Sequence, residues 1–171
     1  EIMTSTYARG YVHADLAAAL LLLSIGLSGC ASTSSAPAAQ ALEARLAALG
    51  FERTDDGYVL NLPGPLLFDS GSDVLNEGAR VRLTLLAKDL HSMGVDRLRL
   101  FGHTDNTGGV EFNLALSSRR AEAVAAAMVQ NGFAADKLER RGFGFERPLA
   151  GNDTPEGRAR NRRVAVIVPF D

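Results

Sequence analysis

Apolar residues fall into three differently spaced regions along this chain. From Leu16 to Leu27 the sequence reads LAAALLLLSIGL, a run without charge. The next stretch, Ala31 to Ala41 (ASTSSAPAAQA), is small, polar and proline-containing. From Leu42 onward the apolar positions adopt the periods of regular structure. Leu42 to Leu49 predicts a short alanine-rich helix stopped by Gly50. Asp55-Asp56-Gly57 signals a turn, and Tyr58 to Leu62 (YVLNL) alternates as a strand does. Pro63-Gly64-Pro65 then breaks regularity. Asn76 to Leu90 predicts a helix, with Ala79, Leu83, Leu86, Ala87 and Leu90 near one face and Asn76 as its cap. Gly94 ends it, and Arg97 to Phe101 (RLRLF) reads as a half-buried strand.

The strongest helix signal is Asn113 to Val129, striped by Leu116, Ala123, Val124, Ala127 and Met128 and closed by Gly132. Leu138 to Phe145 reads as a strand. Thr154 to Arg162 reads as a short helix with Pro155 at its first position, and Arg163 to Phe170 (RVAVIVPF) as a final strand. From Tyr58 the order is β-α-β-α-β-(α)-β. It predicts an α/β (α+β) sandwich with helices packed on a mixed sheet. About 115 residues are enough to bury a self-sufficient core.

The Leu16–Leu27 run is too short to span a membrane, which takes about twenty residues. It fits the apolar core of a secretion signal, with Arg9 and His13 ahead of it. It ends in Leu27-Ser28-Gly29-Cys30, which resembles the lipobox of bacterial lipoproteins. That resemblance implies cleavage before Cys30 and lipidation of its thiol and new amine. Two or more acyl chains hold a protein to a bilayer stably. Ala31 and Ser32 follow, and the absence of an Asp there points to the outer membrane. The expected organisation is a signal peptide at 1–29, a lipidated Cys30 with flexible tether to 41, a short helix and lead-in at 42–57, and a folded domain at 58–171.

Composition narrows the chemistry. Among 171 residues there are 18 basic and 20 acidic, net −2, which gives no basic excess for tracking phosphates. One cysteine excludes an intrachain disulfide and a multi-cysteine metal site. The absence of tryptophan and the 6% aromatic content argue against a stacked-base or sugar platform.

Three polar clusters remain in the central part of the domain: Phe68-Asp69-Ser70-Gly71-Ser72, Gly102-His103-Thr104-Asp105-Asn106-Thr107-Gly108-Gly109, and the start of the long helix. There Asn113, Leu116 and Arg120 stand at i, i+3 and i+7 and share a face. The glycine-rich loop leading into that helix carries Asp105, so Asp105 is expected to face Arg120 with Asn113 between them. Such an arrangement would receive a zwitterion, Asp105 taking an ammonium and Arg120 a carboxylate through its two-pronged fork. Asn113 and Thr107 would add neutral hydrogen bonds. The same spacing also lets Asp105 and Arg120 pair with each other or stay solvated.

These motifs resemble the OmpA-like peptidoglycan-binding domain, a family that includes peptidoglycan-associated lipoproteins, the periplasmic end of OmpA porins and MotB stators. The matching pieces are FDSGSDVL at 68–75, GHTDNTG at 102–108, NLALSSRRAEAV at 113–124, RGFGFERP at 141–148 and NDTPEGRARNRRV at 152–164. The resemblance implies non-covalent binding of the diaminopimelate of peptidoglycan stem peptides. It implies Asp105, Arg120, Thr107, Asn113, Leu116, Phe68, Asp69 and Arg162 as the binding residues. It also implies an outer-membrane lipoprotein facing the periplasm and tethering that membrane to the wall, with Tol-system proteins as candidate partners. The LPGPLLFDSGS segment departs from the family pattern by a Gly-Pro stretch that would shift the rim of the site.

Alternatives of other classes are a peptidoglycan hydrolase and a stator or Tol-type assembly component. A hydrolase needs a metal cluster or an activated nucleophile. Ser70, Ser72 and Ser117 have no evident histidine base, and His13 and His91 are far from His103 in the sequence. The expectation is therefore no enzyme, no metal and no cofactor. His103 is expected to be structural or to hydrogen-bond its loop, and Asn161 to satisfy backbone groups. Arg162 and Arg163 are expected to face opposite ways, one of them toward solvent.

Overall fold

The computed structural model describes residues 35–69 and 71–170. The apolar run, Cys30 and the first part of the expected tether lie outside the described residues. A five-stranded sheet forms the frame: β1 (Glu52–Thr54), β2 (Gly57–Pro63), β3 (Leu98–His103), β4 (Leu138–Gly142) and β5 (Arg163–Val168), in the order β1-β2-β5-β3-β4. β3 and β4 are parallel and the other neighbouring pairs antiparallel. This is the mixed α/β sandwich that the alternation of elements predicts.

The period of two decides which face is core. On β5, Val164, Val166 and Val168 lie opposite Leu62, Leu60 and Tyr58 of β2. These residues, with Leu98 and Leu100 of β3, form or pack against the hydrophobic core. Arg163, Ala165 and Ile167 point to the other face. Two helices cover the core face. α3 (Glu77–Ser92) buries the predicted Ala79, Leu83, Leu86, Ala87 and Leu90. Its cap Asn76 accepts a 2.8 Å hydrogen bond from the Ala79 amide. α4 (Val110–Gln130) follows β3 and returns the chain to β4.

α4 approaches the sheet closely because two strand-end residues lack side chains. A Cβ on Gly102 would overlap the Ser117 carbonyl, and one on Gly142 would overlap Ser117 and Ser118. The Ser117 hydroxyl donates to the Leu114 carbonyl and accepts from the Gly144 amide, both at 2.9 Å, which ties the loop after β4 to the same helix turn.

Several expectations are corrected at the element level. α1 spans Ser35–Ala48, so residues 35–41 are helical rather than tether. Alanine is the best helix former, and Pro37 sits in the first turn, where its missing N–H costs little. Packing completes the reason, since Leu46 is fully buried. β1 was not legible because its three residues are all exposed and carry no alternation. The Pro63-Gly64-Pro65 break contains the single-turn helix α2 (Gly64–Leu67), with Pro65 in its first turn. α4 starts three residues before Asn113. β4 ends at Gly142 rather than Phe145. The short helix α5 (Pro155–Asn161) starts where Pro155 predicts, capped by Thr154.

α1 meets the sheet at one end of its strands. Its Leu42 lies beside Val95 and Val168, where β3 begins and β5 ends. Arg45 donates to the Ser92 hydroxyl and carbonyl at the end of α3, at 2.7 and 3.3 Å. Gly50, just past its end, lies against Leu60 in the middle of β2. α1 thus enters from the end of the sheet opposite to His103, Pro63 and Arg163.

Candidate functional site

At that other end, β3 delivers the chain into the loop Thr104–Gly109. The Thr104 amide donates to the Gly144 carbonyl at 2.8 Å. Asp105 is nearly buried, its side chain 11% exposed. One carboxylate oxygen accepts from the Thr107 amide at 2.9 Å and the other from Arg162 Nη1 at 2.7 Å. Burial would raise its pKa. The bonds from Arg162 and Thr107 outweigh that and hold the carboxyl below the ordinary range. Asn113 Nδ2 donates to the Thr107 and Gly109 carbonyls at 2.9 and 3.1 Å, stapling the loop onto the first turn of α4.

Arg120 lies two turns further along α4, 6% exposed. Its Nε and Nη2 donate to the Ser72 carbonyl at 3.0 and 2.9 Å. Its guanidinium carbon stands 5.1 Å from the Phe68 ring centroid, a cation–π distance. Burial lowers its pKa, while Asp73 and Asp105 oppose that and Arg162 adds to it. Asp105, Arg120 and Arg162 therefore lie within electrostatic reach of one another.

A cleft of about 180 Å³ opens beside them. α2 and the segment after it supply Gly64, Pro65, Phe68 and Asp69, α4 supplies Arg120, and the residue before β5 supplies Arg162. The departing Gly-Pro stretch thus forms one wall. The Gly64 amide donates to the Arg162 carbonyl at 2.7 Å, and this bond fixes that wall against β5. Two cations front the cleft. Asp69 lies on its rim and Asp105 lies behind Arg162.

The structure brings together Phe68, Asp69, Arg120 and Arg162, with Asp105 one bond behind. It corrects the expected pairing. Asp105 is partnered by Arg162 rather than set directly against Arg120, and Asn113 points to loop carbonyls rather than between the two charges. The reason is reach: the asparagine amide satisfies the loop it caps, and Arg162, distant in sequence, arrives through the antiparallel β3–β5 pairing. Leu116 is buried on the face it shares with Asn113 and Arg120, and Thr107 is exposed, meeting Asp105 through its backbone.

Arg163 is likewise not solvated. It is 6% exposed, and burial pulls its pKa down to about 10. Asn161 does satisfy backbone groups, accepting from the Leu149 and Ala150 amides at 2.8 and 3.0 Å. His103 stacks on Phe143 at 5.5 Å between centroids, and its Nδ1 is buried without a hydrogen-bond partner. Burial, with Arg163 and Arg147 nearby, pushes its pKa down to about 3. Among the described residues no group of three or more His, Cys, Asp or Glu is placed to hold a metal ion.

The sheet, layered with helices, holds charged side chains around a small cleft at one end. The OmpA family profile matches residues 67–162, more than half of the chain. The chain belongs to the OmpA family. It is similar to the outer-membrane lipoprotein YfiB of Pseudomonas aeruginosa, 43% identical over 160 residues, covering 91% of this chain and 94% of that protein. It is 39% identical over 105 residues to the peptidoglycan-binding protein ArfA of Mycobacterium bovis, covering 61% of this chain and 32% of ArfA. Among solved structures it resembles the cell wall anchor of the T6SS from Pseudomonas aeruginosa. That similarity has a TM-score of 0.63 and 30% identity, covering 78% of this chain and 96% of that one.

Proposed function

We propose that this protein is an outer-membrane lipoprotein, anchored through Cys30, that binds peptidoglycan without enzymatic chemistry. The ligand is the free zwitterionic end of diaminopimelate in a stem peptide. Its carboxylate meets Arg120 and Arg162 in the cleft, beside Phe68 and Asp69. Its ammonium meets the Asp105 carboxylate. Thr107, Asn113 and Leu116 hold the loop and helix turn that present these charges. The observation that carries the reading is the cleft itself, fronted by two arginines and backed by a desolvated, ionised aspartate. Two relatives support it, one named as an outer-membrane lipoprotein and one as peptidoglycan-binding. The solved relative described as a cell wall anchor adds to them.

The test is cosedimentation with purified sacculi. Asp105→Ala and Arg120→Ala are each expected to abolish it while circular dichroism stays unchanged. Removing one partner of a buried charge set costs roughly 2–5 kcal/mol, since the other is left uncompensated. Retained binding in both variants overturns the site. A diaminopimelate peptide is expected to bind far more tightly than a lysine peptide, which lacks the second carboxylate. For the anchor, Cys30→Ser is expected to stop lipid labelling; unchanged labelling rejects it.

A further inference from the structure

A second cavity, of about 500 Å³, opens on the sheet face away from the hydrophobic core. Its walls include Pro63 and Asn61 of β2, Leu149 and two residues of α5, Ala159 and Arg160. Arg163, the buried first residue of β5, completes the lining. The diaminopimelate cleft makes no use of this cavity, although Arg162 and Arg163 are neighbours in sequence.

Arg163 is the unusual element. Its Nε donates to Asn61 Oδ1 at 3.1 Å, Nη1 to the Asn161 carbonyl at 3.2 Å and Nη2 to the Arg147 carbonyl at 3.1 Å. All three acceptors are neutral. A guanidinium has five N–H donors, so one remains on each terminal nitrogen. Buried charges in proteins are ordinarily paired, and no carboxylate pairs with this one among the described residues.

The surroundings define the missing partner. Arg163 and Arg160 face one acid, Glu52, which leaves one net positive charge for a monoanion. The two N–H groups left on its terminal nitrogens give Arg163 donors to spare for a carboxylate. Pro63, Leu149 and Ala159 supply an aliphatic wall, and Asn161 holds Leu149 in place through its amide. The volume lies in the range of small-molecule sites.

We propose that this cavity is a second binding site, for a carboxylate borne on a small aliphatic group such as the free C-terminus of a short peptide. Arg163 takes the carboxylate, and Leu149, Pro63 and Ala159 take the side chain.

The probe is acetyl-alanyl-alanine as the free acid, titrated into the protein and followed by amide NMR shifts, with its C-terminal amide and inorganic phosphate as the other arms. The acid is expected to shift Asn61, Leu149, Ala150 and Arg160 saturably. The neutral amide should bind at least about tenfold more weakly, the loss expected when a charged hydrogen-bond partner is removed. Arg163→Gln should lose the response. If that variant fails to fold, Arg160→Ala and Glu52→Gln decide at the exposed rim, the first weakening and the second tightening the acid. Equal binding of acid and amide, displacement of the acid by equimolar phosphate, or shifts confined to Phe68–Asp69 would overturn the proposal. The sacculus assay reads the other cleft, so either site can fail alone.

Discussion

Asp105 commits both carboxylate oxygens inside the molecule, one to the Thr107 amide and one to Arg162. In the proposed reading an incoming ammonium would join an existing bond network rather than an empty pocket, sharing the carboxylate with Arg162 and the Thr107 amide. Because the Asp105 pKa is lowered, its contribution to stability is present above the ordinary carboxylate range and fades only as pH falls through its lower folded value. His103 acts in a different window. Its folded pKa, pushed down to about 3, lies below the unfolded value of 6.5. The unfolded chain therefore binds the proton first. Stability is full above pH 6.5 and falls on acidification toward 3, by up to about 1.4 kcal/mol per pH unit. Thermal melts from pH 8 to 4 are expected to show that decline and His103→Gln to flatten it; parallel curves for the two proteins would contradict the assignment. The sequence led to a structural or loop-bonding His103, but not to its aromatic partner or to the Asp105–Arg162 bond. The burial of His103 under Phe143 depends on a residue 40 positions away, and the Asp105–Arg162 bond spans 57.

Elements were more readable than contacts. The buried face of α3 followed from periodicity alone, because burial on one side imposes it, while β5 was readable only as a strand, since all six of its residues are buried. The start of α1, β1 and α2 did not, because each is held by neighbours or by local turn chemistry rather than by its own stripe. The role of Gly102 and Gly142 was also hidden: a strand-end glycine reads as a turn signal, yet here it marks where α4 presses onto the sheet. Gly142→Ala places a methyl against Ser117 and Ser118. Overpacking of this kind costs typically about 1–3 kcal/mol. The variant is expected to lose stability by that amount and to bind sacculi more weakly, since α4 carries both Asn113 and Arg120. Wild-type affinity in a destabilised Gly142→Ala protein would show that the helix position does not tune the site.

At the scale of the whole molecule, α1 and the charged cleft sit at opposite ends of the strands. Leu46 on α1 is fully buried in the hydrophobic core. Leu46→Ala is expected to cost about 2–5 kcal/mol in denaturant melts. Sacculus affinity measured well below the melting temperature should stay unchanged; a matching loss of affinity would mean that the two ends of the sheet are coupled. The sequence announced the α/β alternation but not this polarity, which arises only when β5 inserts between β2 and β3.

That polarity has a mechanical consequence. With α1 at one end of the strands and the charged cleft at the other, a load of the kind that the proposed anchoring and wall binding impose would run lengthwise along β2, β5 and β3. Ladder hydrogen bonds lie across the strands, so many of them would resist together in shear instead of opening one after another like a zip.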